Sequence, residues 1–150
     1  MTQDVARRTP GSVPRTIGRL ALGGALLLAG ISHLTFNRQA FQAQVPEWLP
    51  LDKDFVVLAS GVVEIGLGGA LVALPKKKVA VGWVVAAFFV AIFPGNISQL
   101  VTKTSAFGLD TDAKRWLRLP FQPLLVFVAL WSTGAWRDRR VVLDRLRRRR

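Results

Sequence analysis

Four apolar blocks, each close to the length of a membrane-crossing helix, constrain this chain more than any other feature. They run over about 16–36, 55–74, 79–97 and 116–136. An α-helix needs roughly 20 apolar residues to cross a hydrocarbon core of about 30 Å. A soluble domain of 150 residues would instead show polar faces at helical spacing. The sequence therefore predicts an all-α integral membrane protein, a bundle of four transmembrane helices.

The basic residues predict how this bundle is oriented. The chain carries 21 Lys and Arg and a formal net charge of +12, and Lys and Arg are retained on the cytoplasmic side of a membrane. With the N-terminus inside, fifteen of the 21 cations are cytoplasmic. Both termini are therefore expected in the cytoplasm. This divides the chain into a basic segment 1–15, a transmembrane domain 16–136 and an arginine-rich tail 137–150.

A cleaved secretory signal peptide is the competing interpretation of the first block, because arginines precede its apolar core. No small-residue cleavage site closes that core, and the polar stretch "HLTFNRQAFQ" follows it. The first block is therefore interpreted as the first span of a multi-pass protein.

The absence of cysteine excludes several kinds of redox and metal site from the chain. With no Cys and one His, it cannot build a disulfide, an iron–sulfur cluster, a thiolate metal site or a bis-histidine haem. The acidic pair in "DTD", residues 110–112, lacks the glycine and distal glutamate of a calcium loop, so no metal site is predicted. A stand-alone oxidoreductase is the least supported class, and whether the chain is an enzyme stays open.

Prolines and short connectors shape the bundle. Pro94 and Pro120 remove helix hydrogen-bond donors and predict kinks. The connector "PKKK" is short enough that the second and third helices should form a tight antiparallel hairpin. Residues 37–54 are expected to form a short amphipathic helix at the headgroups and a rigid turn, with Trp48 as interfacial anchor.

The strongly polar residues within the blocks gather in the outer half of the predicted bundle. Counting the helical rise places Glu64 about 15 Å deep, near the bilayer centre, and His33 roughly 21 Å from the inner edge. Gln122 lies about 10 Å below the outer edge with Arg118 one turn above it, and Asn96 ends the third block. The predicted polar intramembrane site comprises His33, Glu64, Asn96, Arg118 and Gln122.

Glu64 is the strongest candidate in this set, since a charge at the bilayer centre costs on the order of 3 kcal/mol and is functional by default. Gly61 and Gly68 lie one turn to either side of it, and Gly30 lies one turn below His33. Small residues allow a second helix to approach closely. Both polar side chains are therefore expected to face the bundle interior.

A structural interpretation competes with the functional one for the other polar residues. Asn96 and Gln122 are neutral and near the surface, and such residues often serve as interhelical hydrogen bonds of about 0.6 kcal/mol each. His33 by itself could equally be an interfacial histidine without function.

Four stretches resemble, in order, the motifs of the DoxX-like family of small bacterial membrane proteins: "AGISHLTFNRQAFQAQVPEWLP", "SGVVEIGLGGALVALPKKK", "FPGNISQ" and "WLRLPFQPLLVFVALW". The resemblance covers about residues 20–135 and implies a four-helix protein of the bacterial cytoplasmic membrane. It also implies association with membrane oxidoreductases such as thiosulfate:quinone oxidoreductase, with a quinone as the cofactor to consider, although related eukaryotic proteins resemble assembly chaperones. No catalytic role follows from it for the matching positions His33, Pro46, Pro50, Glu64, Pro94, Asn96, Arg118, Pro120 and Gln122.

The arginine-rich tail, which the family does not require, predicts contact with anionic lipid. Nucleic acid is disfavoured because the tail directly follows a transmembrane block, where cations are attracted to headgroups. The headgroup contacts expected are Lys76, Lys77, Lys78, Arg147, Arg148, Arg149 and Arg150. A soluble or membrane redox partner and a second copy of the chain are the other partners considered.

Three functions remain open from the sequence. The first is an accessory or quinone-contacting subunit of a membrane oxidoreductase, with Glu64 and His33 exchanging protons or holding a quinone headgroup. The second is a non-catalytic assembly or scaffold protein whose polar residues fix helix packing. The third is a small proton-linked transporter with Glu64 as the ion-binding carboxylate.

Overall fold

The computed structural model describes residues 12–148, and this part of the chain is all-helical. Most of the predicted N-terminal segment 1–15 lies outside the described residues, as do Arg149 and Arg150 of the expected headgroup contacts. Short 3-10 turns occupy Gln42–Gln44 and Pro75–Lys77. The helices are α1 (Val13–Leu34), α2 (Arg38–Phe41), α3 (Lys53–Ala73), α4 (Lys78–Val101), α5 (Asp112–Arg118), α6 (Phe121–Thr133) and α7 (Arg139–Arg147).

Three of the described helical segments are long and apolar enough to span a membrane. They are α1, α3 and the segment Pro75–Val101 that contains α4, with mean hydropathies of 1.5, 2.1 and 1.9. Their outward faces are apolar: Leu28, Val62 and Val90 are 71%, 62% and 61% exposed. Apolar exposure on this scale is typical of a membrane protein, whose outer surface faces lipid.

The fourth predicted span, 116–136, is not one continuous helix. Instead α5 ends at Arg118, a turn follows, and α6 extends for only 13 residues. Pro120 and Pro123 carry no amide hydrogen, so the backbone hydrogen bonds that would join the two helices cannot all form. Gly134, with φ 74°, then ends α6 in the left-handed conformation. The kink predicted at Pro120 thus falls at a break between α5 and α6, and the single helix expected over 116–136 is corrected to two helices.

Helices α1 and α3 pack antiparallel through two pairs of facing glycines. A Cβ atom on Gly30 would lie 2.6 Å from the carbonyl oxygen of Gly61, and one on Gly68 would lie 2.7 Å from that of Gly23. Because a side chain cannot be accommodated at such distances, the two backbones are in direct contact. The small faces expected beside Glu64 and His33 are therefore confirmed.

Helix α4 pairs with α6, also antiparallel, with Gly82 against the hydroxyl of Thr133. Helix α4 extends through Pro94 to Val101, past the predicted end at 97. The turn between α3 and α4 is as short as expected, but these two helices touch each other less than either touches its main partner. The predicted tight hairpin is thus replaced by two helix pairs, α1/α3 and α4/α6, which meet mainly through α1 and α6.

An apolar core fills the half of the bundle that holds the start of α1. Its buried members are Leu22, Leu26, Leu71, Val85, Ala86, Phe89 and Ala129. Next to it the buried Arg19 donates hydrogen bonds to the carbonyl oxygens of Leu71 and Val72. Arg19 therefore satisfies carbonyls that the end of α3 leaves without helical partners, and it is a packing residue of α1 and α3 rather than an exposed cation.

Candidate functional site

A cavity of about 480 Å³ separates the two helix pairs and brings together all five residues of the predicted polar site. Helices α1 and α3 form one wall, which carries His33 and Glu64. Helices α4, α5 and α6 form the other, which carries Asn96, Arg118 and Gln122. The core residues Leu22, Leu26 and Phe89 form its floor. The cavity is therefore mainly apolar, with polar groups on two facing walls.

On the α1/α3 wall, an imidazole lies against a buried carboxylate. His33 and Glu64 are 7% and 5% exposed, and His33 Nδ1 lies 3.0 Å from Glu64 Oε2. The same Nδ1 is 2.7 Å from the carbonyl oxygen of Ala29, one turn earlier in α1. Since a carbonyl oxygen only accepts, the hydrogen-bond geometry assigns Nδ1 as the donor and the Ala29 carbonyl as its acceptor.

This arrangement leaves Glu64 Oε2 buried without a directed hydrogen-bond donor among the described residues. His33 Nδ1 lies close to this oxygen, but its hydrogen is assigned to the Ala29 carbonyl. A buried acceptor without a donor is costly, by about 1–3 kcal/mol, and is uncommon in native proteins. Glu64 Oε2 is therefore an acceptor on the cavity wall that the described residues leave without a donor.

The opposite wall is a chain of neutral amides that ends in a cation. Gln122 Nε2 donates to the carbonyl of Phe89 at 2.7 Å, and Asn96 Nδ2 donates to Gln122 Oε1 at 3.0 Å. Arg118 Nε donates to Asn96 Oδ1 at 3.2 Å. These bonds tie α4 to α5 and α6, and they leave the charge of Arg118 facing the cavity from the wall opposite Glu64.

A cap segment, residues 38–49, covers the mouth of the cavity. Val45 is buried, and the backbone carbonyl of Gln44 packs so closely on Gly95 that a Cβ atom there could not be accommodated. With its amide oxygen turned toward Arg118, Gln44 accepts from Nη2 at 2.7 Å. The helical part of this segment is short, as expected, but it lies on the bundle instead of presenting a separate amphipathic face. Trp48, at its rim, is 71% exposed.

The cap segment is clamped at its start by an ion pair. Arg38 Nε donates to Asp54 Oδ1 at 2.6 Å, and Gln42 Nε2 reaches the same oxygen at 3.2 Å. Arg38 and Asp54 are both partly exposed, and exposed ion pairs contribute little to stability. The clamp therefore sets the position of the cap more than it holds the fold.

Aromatic rings join the two walls across the mouth. The Phe41 ring stacks on His33 with centroids 3.4 Å apart and lies 4.6 Å from Phe107, over which Arg118 is placed at 5.7 Å. Phe107 has a positive φ of 57°, a left-handed conformation that is strained for an aromatic residue. The strained residue Phe107 thus contacts both Phe41, which stacks on His33 of one wall, and Arg118 of the opposite wall.

The sequence predicted the five wall residues but not the cap segment that covers them. Phe41 belongs to the loop 37–54, for which the sequence predicts only an interfacial helix and a turn, and nothing in the sequence distinguishes Gln44 from the neighbouring glutamines. Of the expected headgroup contacts, Lys76, Lys77, Arg147 and Arg148 are exposed, and Lys78 is half-buried. None of them lines the cavity. No group of three or more potential metal ligands assembles within residues 12–148.

In the comparison with known proteins, one family model matches the chain. A family model described as a domain of unknown function, DUF8561, matches residues 22–133. This range holds every residue of both cavity walls and the whole cap segment. No curated protein matches the chain. No solved structure matches it either.

Proposed function

The chain belongs to the DUF8561 family, whose function is undefined, and we propose that it is a quinone-contacting accessory subunit of a membrane oxidoreductase. One observation carries the proposal: a mainly apolar cavity with a donor-deficient carboxylate, Glu64, on one wall and a cation, Arg118, on the other. The resemblance to DoxX-like proteins stays a hypothesis that agrees with this function.

A quinone headgroup fits the donors and acceptors of the cavity. It is a flat apolar ring with two carbonyl oxygens on opposite sides, which accept hydrogen bonds when oxidised and become donating hydroxyls when reduced. Arg118 and Asn96 supply donors on one wall, and Glu64 supplies an acceptor on the other. The volume of about 480 Å³ lies in the range of small-molecule sites, roughly 300–1,000 Å³.

The chemistry assigned to the chain is the binding of a quinone and the exchange of a proton between this ligand and Glu64. A bound quinol would supply two electrons and two protons: both electrons and one proton would pass to a partner enzyme that holds the redox centre, and the other proton would pass to Glu64. Glu64 accepts this hydroxyl hydrogen at Oε2, the oxygen that has no directed donor among the described residues. Arg118 orients the opposite oxygen and the cap segment excludes water.

The proposal includes a membrane placement. Helices α1, α3, α4 and the α5–α6 segment cross a bacterial cytoplasmic membrane as four spans, with both termini in the cytoplasm and the cap segment at the outer surface. The apolar outward faces of α1, α3 and α4 support the lipid environment. The excess of cations in the cytoplasmic segments supports the orientation. A quinone would then enter laterally from the outer leaflet.

A scaffold function is the second candidate, and the amide chain on the α4/α6 wall favours it. Asn96 and Gln122 satisfy each other and hold two helices together, as packing residues do. His33 and Glu64 do not fit this description, since facing glycines already hold α1 to α3. The transporter alternative has less support, because the apolar core lies between the cavity and the inner ends of the helices.

Equilibrium binding of decylubiquinone and its quinol tests the proposal. The purified full chain in lipid nanodiscs should bind the quinol saturably, and Glu64→Gln should weaken binding at least about tenfold, as expected for loss of a charged acceptor worth about 1.5–3 kcal/mol. Glu47→Gln removes an exposed carboxylate of the cap segment that does not line the cavity, and it should bind as the wild type does. Absence of saturable binding, or equal effects of the two variants, would overturn the proposal.

A further inference from the structure

A second concave surface lies on the outward face of α6. This arginine groove has a volume of about 490 Å³. It is floored by side chains at helical spacing on one face of α6, namely Pro123, Val126, Phe127, Leu130 and Trp131. From Pro123 to Gly134 this face extends for about 16 Å at the helical rise, which suits an extended hydrocarbon chain.

The positive charges of the groove lie at one end only. Arg15, near the start of α1, and Arg137, after α6, both line it, and Arg137 also donates from Nε to Asp138 Oδ1 at 3.0 Å. Trp136 lines the same end, and the Arg139 guanidinium lies 4.5 Å from the centroid of its ring. The groove therefore combines a long apolar floor with cations and a tryptophan at one end, a pattern complementary to an amphiphile with an anionic head.

The crossing of α1 and α6 fixes this geometry. A Cβ atom on Gly18 would lie 3.0 Å from the Trp131 ring, so α1 rests on that ring and delivers Arg15 to the groove, one turn earlier. Phe127 and Trp136 are 61% and 56% exposed. The apolar floor is thus accessible while its charged end is positioned by the fold.

We infer that the arginine groove binds one anionic phospholipid, with an acyl chain along α6 and the phosphate between Arg15 and Arg137. Cations between transmembrane helices on the cytoplasmic side are typical headgroup sites, and tryptophans are enriched at that interface. The inference rests on the membrane placement proposed above but not on the ligand of the polar cavity. Retention of the chain in membranes after carbonate extraction tests the placement by itself.

Native mass spectrometry of the full chain, incubated with equal amounts of phosphatidylglycerol and phosphatidylcholine, tests the inference. The wild type should retain phosphatidylglycerol preferentially. Arg15→Gln with Arg137→Gln should lower that preference roughly tenfold to thirtyfold, from about 1 kcal/mol per cation. The matched control, Lys76→Gln with Lys77→Gln, removes two exposed cations outside the groove and should change it less than about twofold.

Two further variants test the apolar floor. Val126→Trp fills the groove without changing its charge, so it should abolish preferential retention. Val126→Cys introduces one thiol into a chain without cysteine, and it should stay monomeric under oxidising conditions in native membranes. The inference is overturned if the lysine control loses as much preference as the arginine variant, if Val126→Trp retains the lipid, or if Val126→Cys cross-links quantitatively, since a second copy of the chain would then occupy the groove.

Discussion

The two walls of the polar cavity use polar residues in different ways. On the α4/α6 wall, Asn96 and Gln122 satisfy each other and a backbone carbonyl, so their hydrogen bonds are part of helix packing. On the α1/α3 wall, facing glycines hold the helices, and the carboxylate of Glu64 keeps an oxygen without a directed donor. A polar residue that packing does not use is the better candidate for function.

The largest stability effect is expected where the backbones touch. Gly30→Ala places a Cβ 2.6 Å from the Gly61 carbonyl oxygen and must force α1 and α3 apart, at about 1–3 kcal/mol. Gly24→Ala, with nothing within 4 Å of its Cβ, should be neutral or stabilise by up to about 1 kcal/mol from helix propensity. Thermal unfolding followed by circular dichroism measures both. Equal melting temperatures for the two variants would contradict a close backbone contact between Gly30 and Gly61.

The next prediction contrasts one residue from each wall. Gln122→Ala leaves the Asn96 amide without its acceptor and should lower stability by about 1 kcal/mol. Glu64→Gln changes a buried group whose Oε2 has no directed donor, so stability should be unchanged or higher. Chemical denaturation of both variants in the same detergent measures the two changes in the free energy of unfolding. If Glu64→Gln destabilises as much as Gln122→Ala, His33 and Glu64 are packing residues and the scaffold function is favoured.

The smallest effect is expected at the cap segment. Arg38→Gln removes the ion pair to Asp54, which should speed ligand entry and release while leaving the affinity nearly the same, because the clamp positions the cap and does not touch the ligand. The matched control is Lys103→Gln, which removes another exposed ion pair, 3.7 Å to Asp112. Stopped-flow exchange of decylubiquinol measures the rates. Unchanged rates for Arg38→Gln would mean that the cap does not gate the cavity.

Depth could be predicted from the sequence because the helical rise is fixed, and this is why five residues from four blocks were placed in the outer half of the bundle. Helix partners could not be predicted in the same way. The short turn after α3 suggested that α3 packs against α4. Instead α3 packs more closely against α1, because glycines face each other there: Gly23 with Gly68 and Gly30 with Gly61. The cap was missed because its contacts, such as Gln44 with Arg118, depend on a loop path that no periodic pattern encodes.

Photolabelling with an azidoquinone tests most directly that the polar cavity is the quinone site. In wild-type membranes, adducts should map to cavity residues such as Trp48, Val57 and Leu125. Ser60→Phe, which fills the cavity beside Glu64, should abolish them, whereas Val62→Phe on the outward face of α3 should not. Adducts spread over outward residues such as Val90, and unaffected by Ser60→Phe, would contradict the account.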